Sequence, residues 1–246
     1  MNLQIPRLRV FAGPNGSGKS TLQEVISKEL LGIYINPDEI EKEIKKFGFL
    51  DLTRYDVQTD EEEILSFFSK STLLEIADLL EEAEYLKFSD NKLIFSDLIV
   101  NAYFASVCAD FIRKKLLSIR KSFTFETVMS SYDKVELLQL AQKLGYRTYL
   151  YYIATHDPLI NISRVKYRVS TGGHDVPKDK IISRYSRSLD NLWPAIQHSN
   201  RAYIFDNSSH YQAWICEITN GKELDIKQHA IPQWVDQYVI EKLKAQ

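Results

Sequence analysis

Cysteine is scarce. Cys108 and Cys216 are far apart, and no C-x-x-C pair is present. That excludes a disulfide framework and a thiolate zinc site, and points to a reducing compartment. Long apolar runs are missing too. The nearest, Leu98 to Ile112, is interrupted by Asn101, Ser106 and Asp110. It reads as a buried helix, since a span needs about eighteen or more apolar residues. The start, MNLQIPRLRV, lacks the apolar core of a signal peptide. Strong charge of one sign is absent, with a formal net charge of −2, so no basic footprint for nucleic acid shows overall. The histidines at 156, 174, 198, 210 and 229 have no metal-ligand spacing. There is no internal repeat and no low-complexity tract. The expectation is a cytoplasmic globular protein; the 246 residues have 44% apolar content, enough for a full core.

Short apolar runs alternate with helical patterns. Leu8–Ala12, Gly32–Ile35, Ser122–Phe125, Arg147–Ala154 and Arg201–Phe205 read as buried strands, each followed by polar residues. Helices are expected at about 19–31, 38–47, 102–118, 132–144 and 178–192. In the fourth, Val135, Leu138, Ala141 and Leu144 form a stripe that Gly145 ends. This alternation predicts an α/β three-layer sandwich around a mainly parallel five-stranded sheet, in a single domain over 1–246. Residues 48–100 read as a helical insertion, with Asp60 to Glu63 as a solvated first turn. Residues 211–246 read as a hairpin turning at Asn220-Gly221, then a helix opened by Pro232.

Gly13-Pro14-Asn15-Gly16-Ser17-Gly18-Lys19-Ser20, followed by Thr21, fits G-x-x-x-x-G-K-[ST] between a strand and a helix. Backbone N–H groups can cradle a triphosphate only where the chain comes close, which favours glycine at 13, 16 and 18. Lys19 supplies charge near the β and γ phosphates, and the Ser20 hydroxyl suits Mg²⁺. Residues 13–21 are therefore the expected ATP site.

Other classes of such protein need signatures that are not here. There is no N-K-x-D for guanine and no L-S-G-G-Q of a transporter. A small kinase needs less: a base near the acceptor and arginines over the moving phosphoryl group. Asp38, in YINPDEI, follows the second strand, where ligands bind in open α/β sheets. It could take a proton from an attacking hydroxyl, although Asn36, Pro37 and Glu39 also make an ordinary helix start. Glu126 ends the third strand with Thr127, Ser130 and Ser131 beside it, and could bind substrate hydroxyls or help hold the metal. Arg164 and Arg168 share one helix face, and Arg184 and Arg187 another, across the turn Gly172-Gly173-His174-Asp175-Val176-Pro177. Two basic faces across a glycine hinge suit a lid closing over phosphates.

Taken in order, GPNGSGKST, NPDEI, FETVMSS, ISRVKYRV…GGHDVP…ISRYSRS and YIFDNS resemble the zeta toxin family of P-loop kinases, over residues 6–40 and 120–209. The resemblance implies Asp38 as base and Glu126, with Thr127, as substrate contact. It implies Arg164, Arg168 and Arg184 as phosphate-stabilising lid residues. It also implies ATP and Mg²⁺, phosphorylation of a hydroxyl of UDP-N-acetylglucosamine, and a small inhibitory antitoxin as partner. Val128 stands where the family tends to place a second Thr, which weakens the sugar-nucleotide reading more than the kinase reading. Two alternatives stay open. One is an ATP-binding protein that does not catalyse and is governed by a partner; the other is a polynucleotide 5′-kinase.

Overall fold

The computed structural model describes residues 5–96, 98–173 and 175–245. His174 of the expected hinge lies outside the described residues. The chain forms two compact units, one of residues 1–32 with 124–246 and one of residues 33–123.

Along the chain, β1 (Arg7–Ala12) leads through the glycine loop to α1 (Lys28–Leu31), β2 (Ile33–Ile35) and α2 (Pro37–Phe47). Then come β3 (Phe49–Asp51), α3 (Glu61–Ser69), α4 (Thr72–Ile76), α5 (Leu80–Ala83), β4 (Lys87–Ser89), β5 (Lys92–Ile94) and α6 (Ala102–Ser118). β6 (Phe123–Thr127), α7 (Asp133–Lys143), β7 (Arg147–Ala154), α8 (Pro158–Ser170), α9 (Lys178–Asp190), α10 (Leu192–Gln197) and β8 (Arg201–Asp206) follow. The hairpin β9 (Ala213–Thr219) and β10 (Glu223–Ile226) precedes a final helical stretch from α11 (Gln233–Val235) to α12 (Glu241–Lys244).

The first unit holds six of the seven strands of the main sheet, in the order β10-β9-β8-β7-β1-β6. β1, β7 and β8 run parallel, and β8, β9 and β10 antiparallel. The main sheet has seven strands rather than the expected five because the C-terminal hairpin pairs with β8 and extends it. That hairpin turns through Asn220 and Gly221 with φ of 52° and 65°, the left-handed pair a two-residue turn needs. Leu8, Val10, Leu150, Tyr152, Ala202 and Ile204 are fully buried on one sheet face. The register of β1 against β7 pairs Arg7 with Arg147 and Ala12 with Tyr152, so the strands start level and β7 runs two residues past the point where the glycine loop begins.

In the second unit α2 packs on α6. The side chain of Asn36 caps α2 by accepting from Asp38 N at 2.9 Å, and Asp60 caps α3 by accepting from Glu63 N at 2.8 Å. Residues 48–100 are not wholly helical: β3, β5 and β4 form an antiparallel sheet. Three-residue strands are too short to show an alternation in sequence. Among the described residues no helix is long and apolar enough to cross a membrane. Cys108 and Cys216 are both buried and unbridged.

Candidate functional site

The glycine loop follows β1 directly. Gly13, Gly16 and Gly18 have φ of 148°, 73° and 99°. A Cβ on Gly16 would stand 2.6 Å from the Asn161 carbonyl oxygen, and one on Gly13 would stand 2.0 Å from that of Ile153. Only glycine lets the loop pass this close to β7 and α8. Ser17 N closes a turn onto the Pro14 carbonyl at 3.2 Å. Lys19 is buried, and its Nζ donates to the carbonyls of Gly13 at 2.9 Å and Pro14 at 3.0 Å. The ammonium thus sits within the loop's own curve. Asn15 Oδ1 and Ser17 Oγ are buried without a hydrogen-bond partner. A cradle of close-set glycines, a central ammonium and unpaired polar atoms fits a polyphosphate.

The helix expected from Lys19 takes another form. Lys19–Val25 is a 3₁₀ helix, and only Lys28–Leu31 is α-helical. Three residues per turn place Lys19 and Leu22 on one side, and both are buried. The Ser20 side chain is exposed, and the Thr21 hydroxyl lies 2.7 Å from both the Gly18 carbonyl and Gln212 Oε1. Of the two, Ser20 is the hydroxyl open to a cation. Among the described residues no group of His, Cys, Asp or Glu is placed to hold a metal. A single protein hydroxyl suits an ion that draws its other ligands from phosphates and water.

Two asparagines grip the loop from outside it. Asn161, fully buried in the first turn of α8, donates from Nδ2 to the Asn15 carbonyl at 2.6 Å. Asn207, just past β8, donates to the Ser17 carbonyl at 2.8 Å. The chain of bonds goes further. The Thr155 hydroxyl donates to Asn161 Oδ1, and the Tyr185 hydroxyl of α9 donates to the Thr155 carbonyl at 2.5 Å. Burial pushes the Tyr185 phenol up to about 12, so it stays a donor at neutral pH. Asp206 is held by Ser208 and by the Trp234 indole, which donates to it at 2.7 Å.

The lid candidates sort by burial. Arg164, Arg168 and Arg184 are half-buried, whereas Arg187, Lys166, Lys178 and Lys180 are exposed. Ile162 and Val165 of α8 pack with Val176 and Ile181 of the turn and α9. Arg164 Nη2 lies 3.4 Å from the Ser209 carbonyl, while its Nη1 is buried without a partner. A Cβ on Gly173 would stand 2.5 Å from Arg168 Cγ, so this glycine seats that arginine.

Glu126 and Thr127 end β6, half-buried, in the first unit. The Thr127 hydroxyl accepts from Met129 N at 3.0 Å. The turn after it is held by α9 and the residue that follows it: Ser188 donates to the Val128 carbonyl at 2.7 Å and Asn191 to that of Met129 at 2.9 Å. Asp38 is exposed in the first turn of α2, in the second unit. The loop, Glu126, Thr127 and the three arginines thus share one unit, and Asp38 stands in the other. Sequence reasoning missed Asn161, Thr155, Tyr185 and Asn207. The only trace of them is position, just past β7, past β8 or beside a lid arginine.

The zeta toxin family profile matches residues 99–214. That span includes Glu126, Thr127, Arg164, Arg168 and Arg184, and omits the glycine loop and Asp38. An uncharacterized protein of Haemophilus influenzae is 32% identical over 63 residues, which is 26% of this chain and 45% of that one. Among solved structures, the AvrRxo1-ORF1:-ORF2 structure with ATP aligns at a TM-score of 0.53 and 14% identity. The alignment covers 98% of this chain and 64% of that one. A structure of the PezAT chromosomal toxin–antitoxin system of Streptococcus pneumoniae aligns at 0.49 and 16% identity, covering 100% and 81%. The chain therefore spans less than two thirds of the curated relative and of the AvrRxo1 chain. The zeta toxin resemblance and the mainly parallel α/β fold are both borne out.

Proposed function

We propose that this zeta-toxin-like chain is a kinase that uses ATP and Mg²⁺ to phosphorylate a hydroxyl of a small molecule. The observation that carries this reading is the buried chain of bonds from Tyr185 through Thr155 and Asn161 to the glycine loop. It ties a phosphate cradle to a helix pair bearing three half-buried arginines. Metal-bound ATP would supply the phosphoryl group. Lys19 and the loop amides hold its phosphates, and Ser20 offers a metal ligand. Asp38 takes the proton as the acceptor oxygen bonds to phosphorus and ADP departs. Arg164, Arg168 and Arg184 offset the charge on the transferring group. Glu126 and Thr127 contact the acceptor.

The family resemblance supports UDP-N-acetylglucosamine as the first acceptor to try and a small inhibitory protein as partner. The test is Asp38→Ala. ATP binding should persist while transfer falls by about 10²–10⁴-fold, measured with labelled ATP over a panel of nucleotide sugars and nucleosides. Transfer at the wild-type rate would remove Asp38 from the role. No product with any acceptor from the wild type would favour a non-catalytic ATP-binding protein.

A further inference from the structure

The two faces of the main sheet are unequal. On one, Leu8, Leu150, Tyr152, Ala202, Ile204 and Ile218 are fully buried. Tyr152 there bonds Ser188 of α9 at 2.9 Å, and its ring lies 6.2 Å from that of Trp234. The register places Tyr149, Tyr151, Tyr203 and Trp214 on the opposite face. Here the tyrosines are only half-buried and Trp214 is 38% exposed, whereas Phe11, Ile153 and Phe205, on the same face at the strand ends nearest the glycine loop, are buried. The rings of Tyr151, Tyr203 and Trp214 make a continuous track across the strands. Tyr151 stacks on Tyr203 at 4.8 Å, and Tyr203 lies 6.0 Å from Trp214.

Charge on this face is graded. Arg147 and Arg201 stand on β7 and β8; Glu217 and Glu223 stand on β9 and β10. Arg201 already pairs with Glu217 at 3.0 Å, while Arg147 and Glu223 are exposed at opposite sides. We propose that this face is the contact surface of a homodimer, with two sheets packed face to face about a two-fold axis. A two-fold contact joins the same patch on both copies, and with the axis parallel to the strands it lays the basic side of each over the acidic side of the other. Tyrosine, tryptophan and arginine are the side chains that carry most interface energy, and tyrosine loses little rotamer freedom when it is fixed. Sheets facing each other about 10 Å apart interdigitate side chains of this size. Single-stranded nucleic acid could stack on the same rings, but it would meet Glu217 and Glu223 beside them.

The test is sedimentation velocity on the full chain over a concentration series, with circular dichroism melts to confirm folding. The wild type should sediment as a dimer. Tyr203→Ser with Trp214→Ser should raise the dimer dissociation constant at least about thirtyfold. Because that pair could also disturb the sheet, two exposed reversals are added. Arg147→Glu and Glu223→Arg should each weaken self-association, and mixing the two variants should restore it as a heterodimer. The proposal is overturned by a wild type that stays monomeric to about 200 µM, by dimers indifferent to all these changes, or by a mixture that does not associate. Binding of an oligothymidylate that Trp214→Ser abolishes would also overturn it, in favour of nucleic acid on this face.

Discussion

Asn161 is the residue through which α8 holds the glycine loop. Its amide satisfies the Asn15 carbonyl on one side and the Thr155 hydroxyl on the other. Asn161→Ala removes the donor to the Asn15 carbonyl and leaves the Thr155 hydroxyl only the Asp157 carbonyl at 3.2 Å, a cost of about 1–3 kcal/mol. The melting temperature should fall by roughly 4–8 °C for a 2 kcal/mol loss. Nucleotide affinity, read by titration, should fall with it. Gly16→Ala should behave alike for another reason: its Cβ meets the Asn161 carbonyl at 2.6 Å, and its φ of 73° is costly for alanine, about 1–3 kcal/mol. Wild-type nucleotide affinity in both variants would detach Asn161 from the loop's function. The loop glycines were legible because their spacing is local and fixed by phosphate geometry. Asn161 lies 146 positions from the carbonyl it holds, and Asn207 lies 190 from Ser17. No periodicity encodes such pairings.

The α8–α9 pair carries the half-buried arginines, so its turn controls their placement. Gly173 N bonds the Arg168 carbonyl at 2.8 Å, and a methyl group at Gly173 would press on the stem of that arginine. Gly173→Ala should therefore lower kcat for phosphoryl transfer about tenfold or more while leaving ATP binding near wild type, as expected for a group that acts in the transition state. An unchanged kcat would take Arg168 out of the transfer step. A second element-scale prediction concerns acid. The Lys115 ammonium of α6, then the Thr59 hydroxyl, hold Glu63 of α3 below its usual 4.5. That support is fully present above the unfolded value and is lost as pH falls through the lowered folded one. Glu63→Gln should flatten the acid limb of a stability profile for the second unit. Among elements, α6 was legible at both ends, because Asn101 caps it and its apolar face is long. The strands of residues 48–100 and the 3₁₀ turn after the loop were not. The former are three residues each. The latter depends on burying Lys19 beside Leu22, a tertiary demand that overrides helical pattern.

The chain leaves its first unit at Gly32 and returns at Thr124, so the glycine loop and the asparagines that hold it come from segments on either side of the second unit. Gly13 to Thr21, Asn161 and Asn207 all belong to that unit, and their bonds are long-range within it. A ligand that bridges them should stabilise the first unit as a whole. With a nonhydrolysable ATP analogue and Mg²⁺ at about 100 times Kd, linkage gives about 2.7 kcal/mol. That is a rise of roughly 5–10 °C in melting temperature for a body of this size. Hydrogen exchange should slow at residues 13–21, 155–165 and 206–209 together, because one network joins them. Lys19→Ala should abolish both the shift and the protection. Omitting Mg²⁺ should weaken both, and so should Ser20→Ala. A full thermal shift in Lys19→Ala would place the nucleotide elsewhere on the chain. Protection confined to residues 13–21 would mean that the asparagines hold the loop without sensing its ligand, and that the lid helices are not energetically coupled to nucleotide binding.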